Sequence, residues 1–160
     1  MWIDFDNLSL ESRVWVFQSD RILTIDEQKA MDGHLKDFVS QWSTHGSQMH
    51  ASHIILHNCF VIIAADEQKQ SASGCSIDSF TALFKKYGKQ FNLSFFDRFS
   101  IAHKSNTDVI VSSLDEFKAS IKRGAITRNT IVFNNLISSK KDLLNKWELP
   151  LHESWQKRYL

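Results

Sequence analysis

Short β-prone apolar runs alternate with two long helical patterns, and their order is what most restricts the fold of this chain. Val14-Trp15-Val16-Phe17 reads as a buried strand. Thr24 and Glu27 then stand at capping-box spacing. Met31, Leu35, Phe38, Val39 and Trp42 follow at helical spacing, which predicts an amphipathic helix over 25–43 stopped at His45-Gly46. Residues 51–57 and 60–65 are strand-like, with Asn58-Cys59 as a tight hairpin. A polar, serine-rich loop over 66–74 leads to Ile77, Phe80, Phe84 and Tyr87, a second helix stopped by Gly88. Arg98–Lys104 and Val109–Ser112 form a further hairpin turned at 105–108.

Through residue 104 the order is therefore strand, helix, strand, strand, helix, strand. That order predicts an α+β fold with a ferredoxin-like antiparallel sheet carrying two helices. Beyond it, Ser113 and Glu116 repeat the capping-box spacing. Phe117 and Ile121 mark a short helix ended by Gly124, Thr130–Phe133 is a short strand, and Leu143, Leu144 and Trp147 lie on a last helix. The expected organisation is a core over 1–104 and a C-terminal extension over 99–160 that shares the strand at 98–104, the two forming one compact unit.

With 160 residues, 42% hydrophobic and 23% charged, the chain is long and apolar enough for a real core. A formal net charge of +1, with the signs interspersed, argues against nucleic acid as a partner. No stretch is long and apolar enough to span a bilayer, and Met1–Leu10 lacks the basic flank and apolar run of a signal peptide. The expected setting is the cytoplasm, with Cys59 and Cys75 reduced. No Cys-x-x-Cys or His-Glu-x-x-His spacing occurs, so neither a metal nor a cofactor is implied. His53 and His57 share a strand parity, which predicts a solvated face.

The richest local chemistry lies in Ser71-Ala72-Ser73-Gly74-Cys75-Ser76-Ile77-Asp78. It sets a thiol, three serine hydroxyls and a glycine at a helix start, where unpaired N–H groups attract anions and favour a thiolate. In the expected topology the first helix ends at the same pole, which brings His45 near Cys75. Two readings follow. Ser71, Ser73, Gly74 and Ser76 form a weak anion seat, opposed by Asp78 in the first turn. Alternatively, Cys75 is a nucleophile with His45 as its base. Simple helix capping by Ser73 or Ser76 competes with both. At the other pole Asp20, Arg21, Asp97 and Arg98 gather, either as an ion-pair network or with Arg21 and Arg98 clamping a carboxylate or phosphate. The resulting expectation is a non-catalytic binding or adaptor domain for a protein or small anionic ligand, with a thiol enzyme as the alternative.

Five segments carry a resemblance: Val14–Arg21, Trp42–Gly46, Ser73–Asp78, Phe95–Arg98 and Thr130–Asn135. Together they resemble an uncharacterised bacterial family of about this length, often labelled "ABC transporter ATPase". That label would require Gly-x-x-x-x-Gly-Lys-Ser/Thr to cradle phosphates, which this sequence lacks. Locally, Leu114–Arg123, Gly124-Ala125-Ile126 and Thr130–Phe133 resemble the GYF-like modules of bacterial proteins, whose relatives bind peptides. The aromatic pair of those modules is replaced by Phe99-Ser100-Ile101-Ala102-His103, so the resemblance implies the small fold and not the peptide site.

Overall fold

The computed structural model describes residues 1–68 and 71–160. A 3-10 turn at Phe5–Asn7 precedes β1 (Arg13–Gln18) and α1 (Ile25–Ser40). Two short strands, β2 (Ser43–Thr44) and β3 (Ser47–Gln48), lead to β4 (Ala51–Leu56), β5 (Phe60–Ala65) and α2 (Gly74–Phe91). Then come β6 (Ser100–Ser105), β7 (Asp108–Ser113), α3 (Leu114–Lys122), β8 (Ile131–Phe133), α4 (Lys140–Lys146) and β9 (Glu148–Pro150). Two 3-10 turns, Leu151–Glu153 and Trp155–Tyr159, follow. The fold is α+β.

β5 is the centre of the first sheet, antiparallel to β1 on one side and β4 on the other. Its sequence, Phe-Val-Ile-Ile-Ala-Ala, is buried throughout because each face meets a different partner. Val61, Ile63 and Ala65 face α1 and α2, in one cluster with Met31, Leu35, Phe80 and Phe84. Phe60, Ile62 and Ala64 face the second sheet, in another cluster with Ala102, Phe133, Leu143 and Trp147. A third cluster, Ile101, Phe117, Ile126, Val132 and Leu151, closes the far side beneath α3. The layers therefore run helices, sheet, sheet, helix.

The ferredoxin-like expectation holds for β1, β5 and β4 and fails at its fourth strand. β6 lies in the second sheet, whose order is β7-β6-β8-β9, and is not shared with the first. Both of its edges are taken, by a six-residue ladder with β7 and by β8. The outer edge of β1 is taken in its first half by a different segment. Val14 N–H donates to Ser138 O (3.0 Å), and Lys140 N–H donates to Ser12 O (2.8 Å).

Three local expectations are also corrected. α1 stops at Ser40, capped by Gln41; His45-Gly46 instead forms the β2–β3 turn, with φ of 50° and 79°. α2 runs through Gly88 to Phe91 and is ended by Asn92 in the left-handed region. His53 does not face solvent: it is buried, with Nε2 2.7 Å from Asp32 Oδ1 on α1. His57 falls in the β4–β5 turn with φ of 52°.

Candidate functional site

The start of α2 is built by its N-cap. Ser73 sits in extended backbone, its Oγ accepts from Ser76 N–H, and its carbonyl receives Ser76 N–H and Ile77 N–H. Ser73 Oγ and Ser76 Oγ are 2.9 Å apart. The amides of Gly74 and Cys75 have no protein partner among the described residues, as expected for the first two positions of a helix. Asp78 lies beyond the first turn, which contains no acidic residue. Negative charge enters instead from Glu67, whose Oε1 accepts Ala72 N–H at 2.7 Å.

Beside this helix start is a depression of about 490 Å³, lined by Trp42, Thr44, His45, Ser73, Cys75 and Ser76 among others. Cys75 and His45 are both exposed and share it; Ser71 and Gly74 do not line it. The β2–β3 hairpin brings Thr44 and His45 here, because the left-handed pair His45-Gly46 reverses the chain directly after α1. Trp42 and Thr44 are 6% and 3% exposed, and Trp42 Nε1 and Thr44 Oγ1 are buried without a hydrogen-bond partner. Such groups cost free energy unless something bonds them. Element order already places Trp42 and His45 at the pole of the α2 start; Thr44 is not marked as a site residue in the sequence, since β2 is too short to leave a signal.

The four charged residues expected at the other pole do not form one cluster. Arg21 makes a bidentate pair with Glu27 (2.7 and 2.9 Å) and donates to Phe91 O (2.6 Å). It thus joins the C-terminal end of α2 to the N-terminal end of α1, where each charge suits the helix dipole it meets. The ion pair holds the Glu27 carboxyl down at about 2 and raises the Arg21 guanidinium. Arg21 is therefore committed to structure. Asp20 Oδ1 accepts Ser94 N–H, and Asp97 accepts from Phe99 N–H and Ser100 Oγ. Arg98 is exposed and borders a separate cleft between the sheets, with Gln18 and Asp97.

Among the described residues, no group of three or more His, Cys, Asp or Glu side chains could hold a metal, and no helix is long and apolar enough to cross a membrane. No family model, no curated protein and no solved structure matches the chain.

Proposed function

We propose that the chain is a non-catalytic binding domain, working in a reducing cytoplasmic setting, that seats a small anionic group at the start of α2. The observation that carries this reading is that Trp42 and Thr44, which line the depression beside the helix start, each keep a buried donor without a partner, Nε1 and Oγ1. With the unspent amides of Gly74 and Cys75 they supply donors to an oxyanion. Glu67, which accepts Ala72 N–H and lies 3.7 Å from the Arg13 guanidinium, partly opposes an anion near the helix start, so binding is weak. The two cysteines are free, which suits the proposed compartment. Titration with acetate and with phosphate, followed by amide and indole nitrogen–proton NMR, tests this. Saturable shifts at Gly74, Cys75 and the Trp42 indole are expected; shifts confined to other residues would reject the seat.

A second reading, a thiol-dependent enzyme or redox-responsive protein, is favoured by one observation: exposed Cys75 shares its depression with His45. In it Cys75 is the nucleophile and His45 the base. Iodoacetamide labelling across pH separates the two readings. A rate that follows an ordinary free thiol removes this one.

A further inference from the structure

The displacement of β6 into the second sheet leaves a cleft of about 630 Å³ between β1 and β6, within the size range of small-molecule sites. It shares no lining residue with the depression at α2. Val16 and Gln18 form one wall, Ser100, Ile101 and Ala102 the other. Its floor is braced: Asn135 Nδ2 donates to Gln18 Oε1 (2.9 Å), Gln18 Nε2 to Ser100 O (3.1 Å), and Trp147 Nε1 to Asn135 Oδ1 (3.0 Å). A hydrogen-bonded floor of this kind holds the walls apart and keeps the cleft preformed.

Three features give the cleft a chemistry. Phe96, Leu136 and Trp155 line it while remaining 44%, 83% and 47% exposed, so an apolar surface of rings and one leucine stands uncovered at one place. Gln156 also lines it and is 4% exposed. Its Nε2 donates to Phe133 O (3.3 Å), which fixes the amide orientation, and its Oε1 is buried with no partner. That oxygen requires an N–H or O–H donor. Arg98 lines the same cleft, exposed and without a carboxylate partner among the described residues; the neighbouring Asp97 is spent on Phe99 N–H and Ser100 Oγ. The backbone adds polar groups. Ser19 N–H bonds Cys59 O, so the alternating register turns the N–H and C=O of Val16 away from β5, and beyond the Ser138–Lys140 contacts at the start of β1 no strand pairs with that side among the described residues.

We infer that this inter-sheet cleft binds a small aromatic anion bearing a hydrogen-bond donor: its ring lies against Phe96 and Trp155, its donor meets Gln156 Oε1, and its negative group meets Arg98. The ligand matches each unspent feature once. An apolar body alone would leave Gln156 unsatisfied, and an anion alone would leave the aromatic surface wet.

Indole-3-acetate and indole-3-propionate are suitable probes, because each joins a ring N–H to a carboxylate at a different spacing. With the full chain, nitrogen–proton NMR is expected to show saturable shifts at Phe96, Ser100 and the Gln156 side-chain amide. The N-methyl analogue of the tighter probe, which lacks the donor, is expected to bind about tenfold more weakly. Arg98→Gln is expected to weaken the parent probe about two- to fivefold, with the difference fading at high salt. Equal affinity of the N-methyl analogue would overturn the proposal, since it marks apolar adhesion alone. So would an absence of saturable shifts at the cleft, or shifts centred on Cys75 and Trp42. The ligand comparison alters no residue, so it does not depend on any variant folding.

Discussion

Lys140 donates from Nζ to the carbonyl oxygen of Phe5 at 2.8 Å, across 135 positions of sequence, and lies 5.3 Å over the Phe5 ring. Two further bonds, to Asp6 O (3.0 Å) and Leu8 O (2.8 Å), use the remaining ammonium donors. The side chain is only 5% exposed, and it ties the N-terminal 3-10 turn to the first residue of α4. Lys140→Met keeps the aliphatic bulk and deserts three carbonyls. It is expected to destabilise the fold by about 2–4 kcal/mol, read as a lower denaturation midpoint at an unchanged slope. An unchanged midpoint would show that water replaces the ammonium at no cost.

Arg21 and Glu27 give the fold an acid-sensitive joint. The Glu27 carboxyl is held at about 2, below its ordinary 4.5, chiefly by the hydrogen bonds from Arg21. Its contribution is therefore complete above pH 4.5 and is lost as pH falls from there toward 2. Glu27→Gln removes the charge while leaving an amide able to reach Thr24 N–H. It is expected to cost about 1–2 kcal/mol at neutral pH and to flatten the stability profile between pH 4.5 and 2. Urea titrations of both proteins at several pH values check this; parallel profiles would assign the acid sensitivity to other groups.

Legibility differed by element for physical reasons. β5 and the two long helices were plain in the sequence because burial imposes a continuous apolar run on one and a 3.6-residue period on the others. The Thr24–Glu27 box was legible and is complete, whereas the Ser113–Glu116 spacing produced the cap with the Glu116 carboxylate turned to Arg123. The partner of β6 was not legible. β6 is buried on both faces, toward Ala64 through Ala102 and toward Phe117 through Ile101, so its pattern suits the edge of one sheet as well as the middle of another. Its own edges are filled by β7 and β8, and the first half of β1 is bonded by the backbone of Ser138–Lys140, a segment with no strand signal. The approach of His45 to the α2 start followed from element order. The cleft of Arg98, Gln156 and Trp155 did not, because it exists only where the expected fourth strand is absent.

The two glycines in helix interiors, Gly33 and Gly88, respond oppositely to a methyl group. At Gly33, in α1, an added Cβ meets nothing within 4 Å, and Gly33→Ala is expected to stabilise by about 0.5–1 kcal/mol through helix propensity. At Gly88, in α2, a Cβ falls 2.8 Å from Leu93 O, backbone of the segment that folds back to bond Gly88 O. Gly88→Ala is expected to lower the melting temperature despite the better propensity. A rise at Gly88 would mean that the chain after Asn92 shifts freely.

His103 predicts a second pH effect nearer neutrality. It is buried against Phe117, ring centroids 5.8 Å apart, with Nδ1 unpartnered, and burial lowers its pKa below 6.5. The unfolded chain therefore takes up the proton first, and stability falls as pH drops below 6.5. His103→Phe keeps a flat ring and removes the titration. Its stability is expected to be flat from pH 7.5 to 5.5, apart from changes shared with the parent; an equal fall in both proteins would exclude His103 as the source.

The two thiols should separate completely by reactivity. Cys75 is exposed at the start of α2, whereas Cys59 is fully buried in the β4–β5 turn, where its carbonyl holds Ser19 N–H. Burial pushes the Cys59 thiol up to about 12, so the native state keeps it protonated where an unfolded chain would ionise. A chromogenic disulfide reagent in native buffer is expected to titrate one thiol per chain, and two in guanidinium. Cys75→Ser should abolish the native signal and leave the denatured one. Stability should also decline above about pH 8.5, where the unfolded thiol begins to ionise and the folded one does not. Cys59→Ala removes that alkaline decline from this thiol at the cost of a small cavity. Two fast thiols in the native protein would mean that the β4–β5 turn opens readily, and with it the contact that anchors the end of β1.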